Sequence, residues 1–402
     1  MGSVRDIEQW RSQILEDSEA ILATLAQDGD QKGSQPTNLD SATVTDAKVG
    51  EILRSSPWAF STRRVDRSVA QTILPSATPQ AGDLVLARVD ALGHHANLQL
   101  TDGRRRRLFP GDTIVVAYGN RYACEQFEAR VPDHLGPCHL VAGGGIASHA
   151  ISWHTRISRG PTRITPLGIL GTKEGRALNL RDFAIKAPSK DQNRSSASPS
   201  VIAILGTAMD AGKTQTAAFL LRGLRSAGYR VGYVKITGTG AGGDTWLLQD
   251  AGADRVLDFT DAGMASTYLA DMPQIEAAMD TLLGDMAIQG MDIVVMEVAD
   301  GVYQRETAQL IAGKTFARAV DGMVLAARDA MGASAGVSVA GASGVPILAL
   351  SGLLCASPLQ RREAEAATGI ASADREELAT ASIAQGLFDQ IKIGQLNQEV
   401  CA

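Results

Sequence analysis

The chain has 402 residues, 45% of them apolar and 20% charged, enough for two or three domain cores and too apolar for a random coil or a collagen-like fibre. Glycine is plentiful at 41 while aromatics make up 4%, which suits a loop-rich α/β enzyme better than an aromatic-cored β-sandwich. The formal charge of −6 conceals three blocks: −6 over residues 1–53, +9 over 54–190 and −9 over 191–402, a basic middle between acidic flanks.

Residues 1–53 read as a helix and a tether. Ile7, Trp10, Ile14, Ile21, Leu22 and Leu25 recur at near-helical spacing, and the polar stretch from Gln27 to Lys48 lacks periodicity. No apolar run approaches about 18 residues and the first twenty are acidic and polar, so neither a membrane span nor a signal peptide is expected. Cys124, Cys138, Cys355 and Cys401 lack CxxC spacing and read as reduced thiols, and the expected location is the cytoplasm.

Residues 54–186 read as a small basic β-rich domain, barrel-like in form. Short runs at Leu84 to Val89, Ala96 to Leu100, Thr113 to Tyr118, Gln126 to Val131 and Cys138 to Ala142 are separated by turn signals such as Asp102-Gly103 and Pro110-Gly111-Asp112. All six histidines fall between His94 and His154, near Cys124 and Cys138, but no CxxC or HExxH spacing supports a metal site, and ordinary surface and core histidines are the default. Arg104 to Arg107 form an exposed patch at an expected hairpin. With few interleaved aromatics, a nucleic-acid or polyanionic partner is disfavoured against a solvated patch or a contact with the acidic C-terminal domain. Gly143-Gly144-Gly145 reads as a tight turn or as backbone that approaches a ligand. Residues 187–199, rich in Pro, Ser, Lys, Asp and Asn, read as a linker.

From residue 200 to 402 the pattern changes to βαβα. Apolar runs at Val201 to Leu205, Val231 to Val234, Ile293 to Met296, Met323 to Ala327 and Pro346 to Leu350 alternate with helical stretches near Thr214 to Ala227, Pro273 to Gln289, Glu306 to Ala312 and Pro358 to Ala367. The fold class is therefore α/β, with a parallel sheet covered by helices on both faces. The first strand leads into Gly206-Thr207-Ala208-Met209-Asp210-Ala211-Gly212-Lys213-Thr214 and then a helix beginning with Gln215. Glycines let backbone wrap a phosphate, the helix N-terminus attracts its charge, Lys213 adds a cation and Thr214 a hydroxyl for Mg²⁺, the parts of a P-loop. Gly206 and Gly212 enclose five residues where the usual spacing has four.

Four further places at or near the sheet edge attract a functional reading. Lys235 ends the second strand, where ligands bind in open α/β folds. Glu297 follows four apolar residues, where an uncompensated carboxylate is costly and Mg²⁺ or a bound partner relieves it. Asp244 either ligates Mg²⁺ or caps the helix that starts at Thr245, and Ser351 and Gly352 form either a base-recognition edge or an ordinary loop.

The string GTAMDAGKT resembles the loop of the dethiobiotin synthetase and cobyrinic acid diamide synthase group of P-loop proteins, which reads roughly GTxxxxGKT. In that group a second strand ends in a lysine near the substrate, matched by Lys235, and another ends in a glutamate that helps hold Mg²⁺, matched by Glu297. The group's EGxGG pattern is altered, with Val298 and Ala299 in place of glycines and Asp300 added. Gly238 to Thr245 and Asp258-Phe259 more nearly resemble an uncharacterised branch of these proteins, which has a different N-terminal domain. The resemblance implies an ATP- and Mg²⁺-dependent enzyme that activates a small carboxylate, carbamate or amine, as a ligase or a kinase. Lys213, Lys235 and Glu297 would be its catalytic residues and a dimer the expected assembly. The rival expectation is a nucleotide-driven switch or chaperone that acts on a macromolecule through the basic domain.

Overall fold

The structure is a computed structural model that describes residues 49–187 and 198–401. The expected N-terminal helix and tether, and most of the expected linker, lie outside the described residues. Two compact units are present: one comprises the described residues up to Arg121 together with Glu125–Phe183, the other Tyr122–Cys124 and Ala184 onward.

The first unit is β-rich. Its strands are β1 (Thr72–Leu74), β2 (Leu84–Ala91), β3 (Asn97–Gln99), β4 (Arg105–Arg107), β5 (Thr113–Tyr118), β6 (Arg121–Tyr122), β7 (Phe127–Arg130), β8 (Cys138–Ala142), β9 (Ile146–Trp153) and β10 (Thr162–Gly171). The pairings β2–β5, β5–β9, β9–β8, β8–β10 and β10–β2 close a circuit, so these five strands form a barrel, as the short alternating runs predict. Alternation fills its interior. Val85, Ala87 and Val89 from β2, Ile114, Val116 and Tyr118 from β5, Leu140 from β8 and Ala147 from β9 join one buried cluster. Ile164 and Ile169 reach that cluster from the same strand although five positions apart, because a register shift between Pro166 and Gly168 resets which face looks inward.

Gly143 to Gly145 turn the chain between β8 and β9. Gly145 has φ 95°, and a Cβ there would lie 2.0 Å from that of Ala59, so the tight-turn reading holds. Arg104 to Arg107 do sit on a hairpin, formed by β3 and β4. Sequence reading did not mark β1, β9 or β10; β1 and β10 pair with each other and β10 with β2 across long stretches of chain, whereas β9 forms a hairpin with β8.

The second unit is α/β. Strands β11 (Ser200–Gly206), β12 (Val231–Lys235), β13 (Arg255–Asp258), β14 (Ile293–Glu297), β15 (Gly322–Ala326) and β16 (Ile347–Ser351) form an all-parallel sheet in the order β13-β12-β14-β11-β15-β16. Each strand sends alternate residues to opposite faces. Val201, Ala203 and Leu205 join a cluster with Ile275, Met279, Leu282 and Met286 of α3 (Met272–Ile288), whereas Ile202 and Ile204 join one with Leu220, Leu221 and Leu224 of α1 (Lys213–Ser226). Helices on both faces explain why the strands are continuously apolar. The remaining helices include α2 (Gly242–Asp250), α4 (Arg305–Ala312), α5 (Lys314–Ala319), α6 (Ala330–Gly341), α7 (Pro358–Thr368), α8 (Arg375–Leu378) and α9 (Ala381–Cys401). Small residues hide α6 from a hydrophobic-period reading, yet its Gly336 packs on Leu325 and Thr207 through a surface where a Cβ would come within 3.0 Å. No helix among the described residues is long and apolar enough to cross a membrane.

Candidate functional site

The site is built where β11 ends, between β14 and β15, at the carboxyl edge of the sheet. β11 runs into Gly206, and α1 begins at Lys213. Its N-cap is Gly212, with φ 100° and no side-chain cap, so the first-turn amides that have no carbonyl of a preceding turn to meet are left facing the loop. The loop is held by its neighbours. Thr207 N donates to Ala326 O at 3.0 Å, Val302 N to Gly206 O at 2.9 Å, and Leu353 N to Ala211 O at 3.0 Å. Two glycines make that clasp possible: a Cβ at Gly301 would lie 2.8 Å from Thr207 O, and one at Gly352, where φ is 91°, would lie 2.3 Å from Ala211 O.

Lys213 is 3% exposed, and its Nζ donates to Ala208 O at 2.8 Å and Met209 O at 3.1 Å. Burial pulls its pKa down, while the carboxylates of Glu297 and Asp300 oppose that pull. Gly206 lies so near that a Cβ there would meet Lys213 Cδ at 2.7 Å. Asp210 and Gln215 are exposed on the outer side of the loop and helix, Ala211 is buried, and Thr207 and Ala208 are half-buried.

Glu297 is the centre of the polar cluster. It is 1% exposed and accepts from Tyr233 OH at 2.9 Å and from Thr214 Oγ1 at 3.3 Å, and Lys235 Nζ lies 3.2 Å from its Oε1. Lys235 also ion-pairs with Asp244. Burial alone would lower the pKa of Lys235, but Asp244 and Glu297 outweigh it and raise it, so the ammonium stays charged. Tyr233 is pushed well above its ordinary value, by burial and then by Glu297, and remains a neutral donor.

Strand register assembles this cluster. Lys235 pairs with Glu297 across β12 and β14, and Ile204 pairs with Glu297 across β11 and β14, so lysine, glutamate and loop come level at one edge. Asp244 lies in the first turn of α2, whose N-cap is Ala241; the alternative of Asp244 as the cap gives way to its pairing with Lys235. Ser351 is 1% exposed and its hydroxyl meets Thr216 Oγ1 at 3.2 Å, so its side chain faces α1, while Gly352 braces the loop. Asp300 holds φ 67° just before the Gly301 close approach.

Tyr233 and Thr216 were not marked by sequence reading. For Tyr233 a signal exists: it precedes Lys235 by two on a strand and so shares its face. In the barrel, the rings of His139 and His149 stand 5.6 Å apart, and among the described residues no group of three or more His, Cys, Asp or Glu side chains is placed to hold a metal.

The family model described as molybdopterin guanine dinucleotide synthesis protein B matches residues 201–311, which span the loop, Lys235, Asp244 and Glu297. No curated protein matches the chain. A crystal structure of a DUF1611 family protein from Anabaena variabilis is 14% identical with TM-score 0.35, over 53% of this chain and 63% of that one. The signal recognition particle 54 kDa protein from Aeropyrum pernix, in complex with GDP, is 20% identical with TM-score 0.33, over 51% and 52%. The kinase domain of the Escherichia coli tyrosine kinase ETK is 14% identical with TM-score 0.29, over 40% and 66%. The chain thus spans less than two thirds of the length of each of these. Together with the loop geometry, the family match makes the second unit a P-loop nucleotide-binding domain.

Proposed function

We propose that the P-loop unit binds ATP with Mg²⁺ and transfers its terminal phosphoryl group to a small metabolite bearing a carboxylate, carbamate or amine, in the manner of the synthetases its loop resembles. The observation that carries this reading is the convergence of Thr214, Lys235 and Asp244 on or beside the buried carboxylate of Glu297, next to Lys213. ATP is preferred to GTP because the chain lacks a guanine-reading NKxD sequence.

The donor set suits Mg²⁺: Thr214 Oγ1 and a Glu297 carboxylate oxygen are hard ligands 3.3 Å apart, Asp244 is a third candidate, and phosphate and water oxygens complete such sites. When bound there, the ion neutralises phosphate charge. Lys213 moves from its loop carbonyls to the phosphates, and the free amides of the first turn of α1 bind phosphate oxygens. The acceptor's oxygen or nitrogen forms a bond to the terminal phosphorus as the bond to the bridging oxygen breaks. The nucleoside diphosphate leaves, and any proton on the acceptor passes to solvent. Lys235 meets the transferred group or the acceptor's charge, and catalysis is mostly positioning and charge neutralisation.

The test is diphosphate release by the full chain in a metabolite screen with ATP and GTP in parallel. A synthetase or kinase is slow until its acceptor arrives, and Lys213→Ala and Lys235→Ala lose the stimulated rate. If no nucleotide stabilises the wild-type chain against heat, the reading fails. A second reading, a nucleotide-driven switch or chaperone, is supported by the +9 charge of residues 54–190. It requires that a macromolecule rather than a metabolite stimulate hydrolysis.

A further inference from the structure

The barrel unit contains a cavity of 490 Å³ whose lining belongs entirely to that unit and includes Leu53, Arg54, Trp58, Arg67, Gln71 and Lys173. Its size falls in the range of small-molecule sites, about 300–1,000 Å³. Among the described residues three cations line it and no carboxylate does. Among the described residues Arg54 and Lys173 make no close ion pair, and Lys173 feels the longer-range charge of the neighbouring Glu174. Arg67 is fixed with its guanidinium 5.3 Å from the centre of the Trp58 ring and donates to Thr101 Oγ1 at 3.1 Å. Trp58 is 2% exposed and its Nε1 donates to Leu53 O at 3.1 Å, so the wall beside Arg67 is a packed aromatic ring. The nearby carboxylate of Asp66 is engaged by Ser68, from whose N and Oγ its Oδ1 accepts at 2.9 and 2.6 Å.

Three like charges around one concavity repel unless an anion lies between them, and guanidinium forks match the oxygens of phosphates and carboxylates. An apolar wall beside those charges suits an organic ligand better than a bare ion. We propose that this cavity is a second binding site, for a small metabolite that carries phosphate or several carboxylates, with Arg54, Arg67 and Lys173 as its counter-charges. The site lies in a different unit from the P-loop and does not depend on the function assigned there.

The test uses the full chain carrying Lys213→Ala, so that the P-loop contributes least to phosphate binding, titrated calorimetrically with pyrophosphate and, separately, with citrate at low salt. Saturable binding of at least one probe is expected, weakening as salt rises and becoming at least about tenfold weaker when Arg67→Ala and Lys173→Ala are added, with partial recovery in Arg67→Lys. Pyrophosphate alone would mark a phosphate ester, and citrate alone a polycarboxylate. Both mutated side chains are exposed, and an unchanged melting curve without probe verifies the fold. Failure of both probes to bind, or binding untouched by the Arg67 and Lys173 substitutions, overturns the proposal.

Discussion

Lys235 Nζ lies 3.2 Å from Glu297 Oε1, and the two residues stand in register at the ends of neighbouring parallel strands. Because Asp244 holds the same ammonium, the lysine has two carboxylates and the buried glutamate has one cation and two hydroxyl donors. Glu297→Gln keeps the shape and removes the charge. The expected loss is about 1–3 kcal/mol in urea unfolding, below the roughly 3–5 kcal/mol of a fully orphaned buried ion, since Asp244 still compensates Lys235. The Mg²⁺ concentration needed for nucleotide-induced stabilisation should rise in the same variant.

Tyr233→Phe removes one donor from that carboxylate and nothing else of the side chain. A hydrogen bond to a charged group contributes about 1.5–3 kcal/mol, so the urea midpoint should fall by that equivalent with an unchanged slope. An unaltered midpoint would show that Glu297 is satisfied without it.

Gly352→Ala places a Cβ 2.3 Å from Ala211 O at a φ of 91°, so the clasp on the phosphate loop must open. Nucleotide-induced thermal stabilisation should be lost. Gly369→Ala is the matched control, with φ 72° but open space around it; it should cost only about 1–2 kcal/mol of left-handed strain and leave nucleotide binding intact.

Lys213→Ala should abolish the stabilisation that ATP or GTP confers. For wild type at a hundredfold excess over the dissociation constant that stabilisation amounts to about 2.7 kcal/mol, well within reach of a melting experiment. A wild-type-like shift in the variant would remove Lys213 from the phosphate site.

Acid should weaken the barrel through His95. Its pKa is pushed down to about 3, first by burial and then by Arg121 and His94. Between pH 6.5 and about 3 the unfolded chain binds a proton there that the folded barrel does not, so stability falls as pH drops through that window. The slope from this one group is about 1.4 kcal/mol per pH unit. His95→Gln removes the titration, and the urea midpoint should then depend less steeply on pH below about 6.

Much of the P-loop unit was legible because its signals are contiguous. Glycine spacing, the Lys213-Thr214 pair and a buried strand leading into a helix occupy one short stretch, and Lys235 and Glu297 were each legible as polar ends of apolar strands. The edge strand β13 and helix α6 were not. The first is short with a half-buried start, and the second is built of glycine, alanine, serine and valine apart from the exposed Met331, and shows no hydrophobic period.

By itself the sequence determined which residues a phosphate site has available, and that a basic β module accompanies an α/β one. Tertiary structure alone decided which of them meet. Tyr233 and Glu297, 64 positions apart, touch because two parallel strands pair in one register, and the barrel closes because β8 bonds to both β9 and β10. The cationic cavity likewise draws on residues 50–72 and Lys173, which no local pattern links. Alternation marks which face of a strand turns inward, but pairing minimises a free energy summed over distant segments, so no one segment names its partner.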